Sequence, residues 1–215
     1  MPSQPGSESP GFSKLNETIV EAFLSELYFE CGWTLGARNR LTQMIAAGDL
    51  VLGANPVDRS LERWACVDEM LVHLNRLDRL MNPVGGRSSQ TYNLRRQLAD
   101  LARARGYNPP SDAGQLAAVR NIVEHADEHL PQFILDNLGK ALGPVDVGPQ
   151  AGPKPVNNYV PMRAYDTLTE ECFAHGETVN LSKLLAEVRE LKFRLPKPGV
   201  SARLGAVTIP EPESS

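Results

Sequence analysis

The 215-residue sequence has no stretch of about 18 consecutive apolar residues, so no membrane-spanning helix is expected. It has no excess of positive charge either: 22 Lys and Arg stand against 26 Asp and Glu, a net charge of −4. That balance excludes attachment to nucleic acid or an anionic membrane through overall charge, and leaves such contacts to a local patch. Cysteine is scarce. Cys31, Cys66 and Cys172 are widely spaced and contain no Cys-x-x-Cys pair. An odd, scattered set excludes a disulfide framework and fits reduced, buried thiols in a cytoplasmic protein. The opening stretch MPSQPGSESPGFS has neither a cationic nor an apolar segment, so no secretory signal is expected. Glycine-rich phosphate loops are lacking too, because PVGG and GPQAGP have no strand–glycine–helix setting.

What is present is mostly helical periodicity. Residues 1–12 are Ser, Pro, Gly and Glu, too polar to bury a core, and are expected to form a disordered leader. From Asn16, a plausible N-cap, Ile19, Val20, Phe23, Leu24, Leu27, Tyr28 and Cys31 recur at helical spacing. The pattern resumes through Leu35, Leu41 and Ile45, with Gly32 and Gly36 marking an expected kink. A second helix is expected over 56–81, between Pro56 and Pro83, and a third over 91–105, stopped by Gly106. Ser111 or Asp112 caps a fourth helix running to about Leu130, where Pro131 is expected to break it. Trp33 and Trp64 are expected in the core, and His73 as a polar position on the second helix.

Past Lys140 the character changes. Residues 143–158, GPVDVGPQAGPKPVNN, read as a Pro/Gly linker without periodicity. YVPMRAYD and ECFAHG read as two short strands joined by TLTE, and Asn180 caps a last helix, LSKLLAEVRELKF. His175 falls in a turn or strand end. The organisation expected is thus a helical domain over 13–142, the linker, a β-hairpin-plus-helix subdomain over 159–195 and a flexible tail over 196–215. The fold class is mainly α, an up-and-down helical bundle with a small C-terminal β-hairpin plus helix.

Chemistry concentrates in one string, RNIVEHADEH, residues 120–129. Read from His125 it is His-x-x-Glu-His, the signature of one class of zinc peptidases, with Glu128 placed as a general base. Two histidines four residues apart share a helix face. Zinc needs a third protein ligand, however, and the downstream chain is a Pro/Gly linker and a small hairpin. No metal and no cofactor are therefore expected. Read from Arg120 the string is Arg-Asn-x-x-x-His. Cleaving RNA without metal needs a base for the 2′-hydroxyl proton and a cation for the charged phosphorane. His125 suits the first role and Arg120, a fixed bidentate donor, the second.

Arg120, Asn121 and His125, early on the fourth helix of an all-helical body, resemble the motif of the HEPN family (higher eukaryotes and prokaryotes nucleotide-binding): an arginine, often followed by a polar residue, and a histidine four to six residues on. The resemblance covers residues 13–138 in outline. It implies a HEPN-like bundle acting as a metal-independent endoribonuclease of the toxin or defence type. It also implies a homodimer whose cleft joins both Arg–His pairs, and a protein antitoxin or defence partner. Asp127 stands where some members carry a tyrosine two residues after the histidine. On an ideal helix Arg120 and His125 differ by about 140° in azimuth, so the helix start has to be irregular or the pocket has to lie in a groove. Arg95, Arg96 and Arg103, in the basic stretch upstream, are the candidate RNA-binding residues. The alternative is a non-catalytic helical interaction or scaffold module, a form the family also takes. In it Arg120 pairs with Glu124 and His125 is surface.

Overall fold

The computed structural model of the chain describes residues 17–47, 55–85, 89–143, 145–152 and 159–199, and of 56, 57, 126 and 127 the backbone alone. The expected leader over 1–12, most of the expected tail and part of the expected linker lie outside the described residues. Among the described residues the protein is mainly helical, with six helices and a small sheet region toward the C-terminus. The helices are α1 (Glu17–Ala46), α2 (Pro56–Met81), α3 (Gln90–Ala104), α4 (Ala113–Glu124), α5 (Ala126–Asp136) and α6 (Leu181–Arg194).

Their ends follow local chemistry. Ser89 caps α3 by accepting from the Tyr92 N–H, Asp112 caps α4 from Gln115, and Asn180 caps α6 from Ser182. Gly106, at φ +85°, turns the chain out of α3 in the left-handed conformation that glycine adopts without penalty. Two expected breaks differ. α1 runs unbroken through Gly32 and Gly36, because its buried stripe continues through Cys31, Thr34, Ala37 and Leu41 and holds it together. The fourth helix ends at His125, not at Pro131, which sits inside α5. Stopping at His125 places Pro131 in the second turn of a new helix and not deep in a long one, where its missing N–H and ring would cost most.

Six short strands follow: β1 (Ala141–Gly143), β2 (Asp146–Gly148), β3 (Tyr159–Pro161), β4 (Arg163–Asp166), β5 (Glu171–Ala174) and β6 (Glu177–Asn180). β1 pairs with β3 in parallel, and the other four form a sheet in the order β2-β4-β5-β6. The β4–β5 hairpin is the expected one, with Tyr165 opposite Cys172. Three strands stand where none was expected, β1 at the end of the expected helical domain and two others beyond it. β2 lies within 143–158 and pairs in parallel with β4, Val147 opposite Tyr165, and β6 pairs with β5. Gly143 admits no side chain, since a Cβ there would overlap the Tyr159 ring of β3.

Nor is the hairpin-plus-helix region separate from the helices. One buried cluster joins Leu27, Leu71 and Val119 of the helical body to Val147, Cys172, Val179, Leu184 and Val188. α6 lies against α1, and β6 against α4. Arg38 of α1 fixes the hairpin turn, its Nε donating to Glu170 Oε1 at 2.6 Å. A second, smaller core unites Phe133 of α5 with Val160, Ala164 and Phe173. The buried thiols of Cys31, Cys66 and Cys172 are unpaired. Burial pushes the Cys31 thiol up to about 12 and raises that of Cys172 too, so neither is a thiolate nucleophile at neutral pH.

Candidate functional site

The string 120–129 is spread over two environments by the helix break within it. Arg120 faces α2. Its Nη2 donates to Asp78 Oδ2 at 2.6 Å, and the Asp78 side chain is only 3% exposed. The other Asp78 oxygen accepts from Asn82 Nδ2 at 2.8 Å. One turn along, Glu124 accepts from Asn75 Nδ2 at 2.9 Å and pairs with Arg79. The Asn75 and Arg79 bonds, with Arg120 nearby, outweigh desolvation and hold the Glu124 carboxyl below its usual range. Arg120 therefore pairs across the α2–α4 interface with Asp78, not along its own helix with Glu124. The reason is geometric: a buried carboxylate must find a cation, and α2 presents Asp78 directly to α4.

His125 closes α4 and opens α5, with φ −124° and ψ 20°. Its backbone N–H still bonds Asn121 O at 3.1 Å, while its own carbonyl accepts from Glu128 and His129. The imidazole is 41% exposed, its Nδ1 3.3 Å from Glu128 Oε2. Asn121 Nδ2 meets Glu177 Oε1 on β6 at 3.4 Å. Each of the three motif residues thus faces a carboxylate: Asp78, Glu177 and Glu128.

The upstream arginines serve the end of α2. Arg95 donates to the carbonyl of Arg79 at 2.9 Å, and Arg103 reaches the carbonyl of Met81 and, at 2.7 Å, Asn82 Oδ1. Those carbonyls belong to the last turn of a helix, where no N–H of the helix reaches them and the dipole is negative. Arg96 stands freer, 3.8 Å from Asp100 with both side chains more than half exposed.

Two arrangements escaped the sequence. The first is a dyad inside the helical body. His73 Nδ1 lies 2.6 Å from Glu30 Oε2, and the Glu30 side chain is 3% exposed. Desolvation raises the Glu30 carboxyl above its usual range despite His73 and Arg76. Trp33 stacks on His73 with ring centroids 5.1 Å apart and is 45% exposed, so it is not the core residue expected; Trp64, at 5%, is.

The second is a cleft of about 420 Å³ between α5 and the β5–β6 turn, whose lining includes His129, Phe133, Asp136, Phe173, His175 and Glu177. His175 and Gly176 form the two-residue turn joining β5 to β6, both with positive φ (48° and 95°), as a primed hairpin turn requires. His175 is 8% exposed, and its Nδ1 is buried without a hydrogen-bond partner. Burial, with Arg163 and His129 nearby, lowers the His175 pKa and keeps the ring neutral at pH 7. A His-Gly pair between two β-like runs was the sequence signal for this turn.

His129, the second histidine of the zinc-like spelling, thus turns into the cleft, while His125 stays at the helix break. Among the described residues no three His, Cys, Asp or Glu side chains are placed to hold a metal ion. Among the described residues no helix is long and apolar enough to cross a membrane. The chain matches no protein-family model, no curated protein and no solved structure.

Proposed function

We propose that this chain is a non-catalytic helical interaction module, the form in which the HEPN resemblance fits it best. One observation carries the reading: three of the four arginines expected to act on RNA are already engaged within the chain. Arg120 neutralises a buried aspartate, and Arg95 and Arg103 cap α2. An arginine that leaves such a partner for a phosphodiester strands a buried charge, which costs more than the exposed contact it gains. The remaining three contacts, at Asn121, His125 and Arg96, are long or exposed and hold their residues only weakly. They place negative charge beside the motif all the same. Leu135, Leu138 and Phe193, 59%, 71% and 89% exposed, are apolar side chains such a module offers to a partner, a second copy of the chain among them.

A ribonuclease of the HEPN type is the second reading, and the helix break favours it. The break frees His125 from the azimuth an unbroken helix would impose, and Glu128 beside Nδ1 is where an orienting carboxylate would stand. RNA cleavage in EDTA by the purified protein, against His125→Ala, separates the two. The interaction module is expected to show no cleavage that depends on His125. Cleavage abolished by His125→Ala with the fold intact would overturn it in favour of the nuclease.

A further inference from the structure

The cleft between α5 and the β5–β6 turn differs from the α2–α4 interface in that its carboxylates lack cations among the described residues. Two carboxylates line it, Asp136 and Glu177, and among the described residues neither meets a lysine or arginine. Asp136 Oδ1 accepts from Gln132 at 2.7 Å, and Glu177 has only the long contact from Asn121. The cleft also lies against the C-terminal turn of α5, the negative end of that helix's dipole. Its floor is apolar, Phe133 and Phe173, 7% and 6% exposed with centroids 5.8 Å apart. In its wall stands His175, more than nine-tenths buried, with Nδ1 unpartnered. Buried polar groups in native folds are nearly always bonded, so an orphaned one lining a cleft marks a missing ligand group.

We infer that this cleft binds a small organic cation, a primary ammonium or guanidinium group carried on a short apolar body. The two carboxylates and the helix end supply its counter-charge, and the phenylalanine floor takes the apolar body. A neutral His175 with its proton on Nε2 leaves Nδ1 a bare acceptor, and an ammonium N–H supplies the donor it lacks. Among the described residues no lysine or arginine lines the cleft; the nearby Arg163, which bears on His175, sets its guanidinium over the Trp64 ring. A volume of about 420 Å³ suits a ligand of this size.

The test uses the full chain at pH 8, with benzylamine as the probe cation, benzyl alcohol as its uncharged counterpart and benzoate as the anion. Dissociation constants come from titration calorimetry, and the location from the imidazole signals of His129 and His175 in labelled protein. Benzylamine is expected to bind at least tenfold more tightly than benzyl alcohol and to shift both signals. Asp136→Asn with Glu177→Gln is expected to abolish that preference without changing the melting temperature by more than a few degrees. Equal binding of amine and alcohol, tighter binding of benzoate, no binding at all, or unmoved imidazole signals each overturn the assignment. A preference that survives in the double variant overturns it as well. The inference stands apart from the interaction-module reading, and neither outcome of the RNA assay bears on it.

Discussion

The α2–α4 interface and the α5 cleft are both built from carboxylates, and they differ in whether those carboxylates have partners. At the interface Asp78 has Arg120 and Asn82, and Glu124 has Arg79 and Asn75. In the cleft Asp136 and Glu177 have no cation among the described residues, and a buried histidine lacks a bond. The difference separates two uses of polar residues. At the interface paired carboxylates fix how two helices sit against each other, although Asn75 Oδ1 and Arg120 Nε stay buried without a partner. Unpaired carboxylates hold capacity in reserve. Arg120 of the motif belongs to the first kind; the turn that looked like a connector belongs to the second.

The largest effect that could break this comparison is at Arg120. Arg120→Met leaves Asp78 buried and uncompensated, and is expected to cost about 3 kcal/mol. In a chain of this size that lowers the melting temperature by roughly 6–12 °C. Adding Asp78→Leu is expected to restore most of the loss, since an apolar pair replaces a buried ion pair at little cost. A thermal melt of the two variants reads both. If Arg120→Met melts with the wild type, the arginine is not structural.

A middle-sized effect sharpens the cleft side. His175 holds φ +48°, a conformation that asparagine adopts readily and β-branched residues resist. His175→Val is expected to lose about 1–2 kcal/mol in urea unfolding, and His175→Asn less than about 1 kcal/mol. The pH dependence has a fixed sign. Burial depresses the folded-state pKa of His175 below the ordinary 6.5, so the neutral ring contributes stability above that value. The contribution is lost as pH falls from 6.5 through the depressed folded-state value. The wild type is therefore expected to lose more stability than His175→Asn between pH 7 and pH 5.

The smallest contrast lies on α3. Arg103→Ala removes the cap from the α2 carboxyl end and is expected to cost about 1 kcal/mol. Arg96→Ala, exposed and loosely paired, should stay within about 0.5 kcal/mol of wild type. Equal losses at the two positions would show that burial of the partner does not separate structural from idle arginines here.

The helices were legible because their signals are local. The apolar stripe of α1, the prolines flanking α2, Gly106 after α3 and the caps Asp112 and Asn180 all act within a few residues of where they are read. The β4–β5 hairpin was legible for the same reason. β1 and β2 were not, since three-residue strands carry no alternation and their parallel pairings join segments about 18 residues apart; β3 fell within the expected strand YVPMRAYD, but its pairing with β1 was not readable. The partner of Arg120 was misread for a related reason: local spacing offers Glu124, four residues on, while the true partner is 42 residues upstream. The cleft needed α5 and the His175 turn brought together from 46 residues apart in the chain, and no local pattern encodes that.

The break at His125 has a consequence for motion. α4 buries Leu116, Val119 and Ile122 in the large core, whereas α5 buries Phe133 in the small one, so the two helices answer to different sets of contacts. With no backbone hydrogen-bond ladder continuous across the junction, α5 can open as a unit while α4 stays protected. In hydrogen–deuterium exchange the amides of 130 and 132–136 would then exchange ahead of those of 116–122. A molecule lodged against both α5 and the β5–β6 turn would slow the first group and leave the second unchanged. Occupancy of the cleft becomes readable as a change in tempo along one short helix.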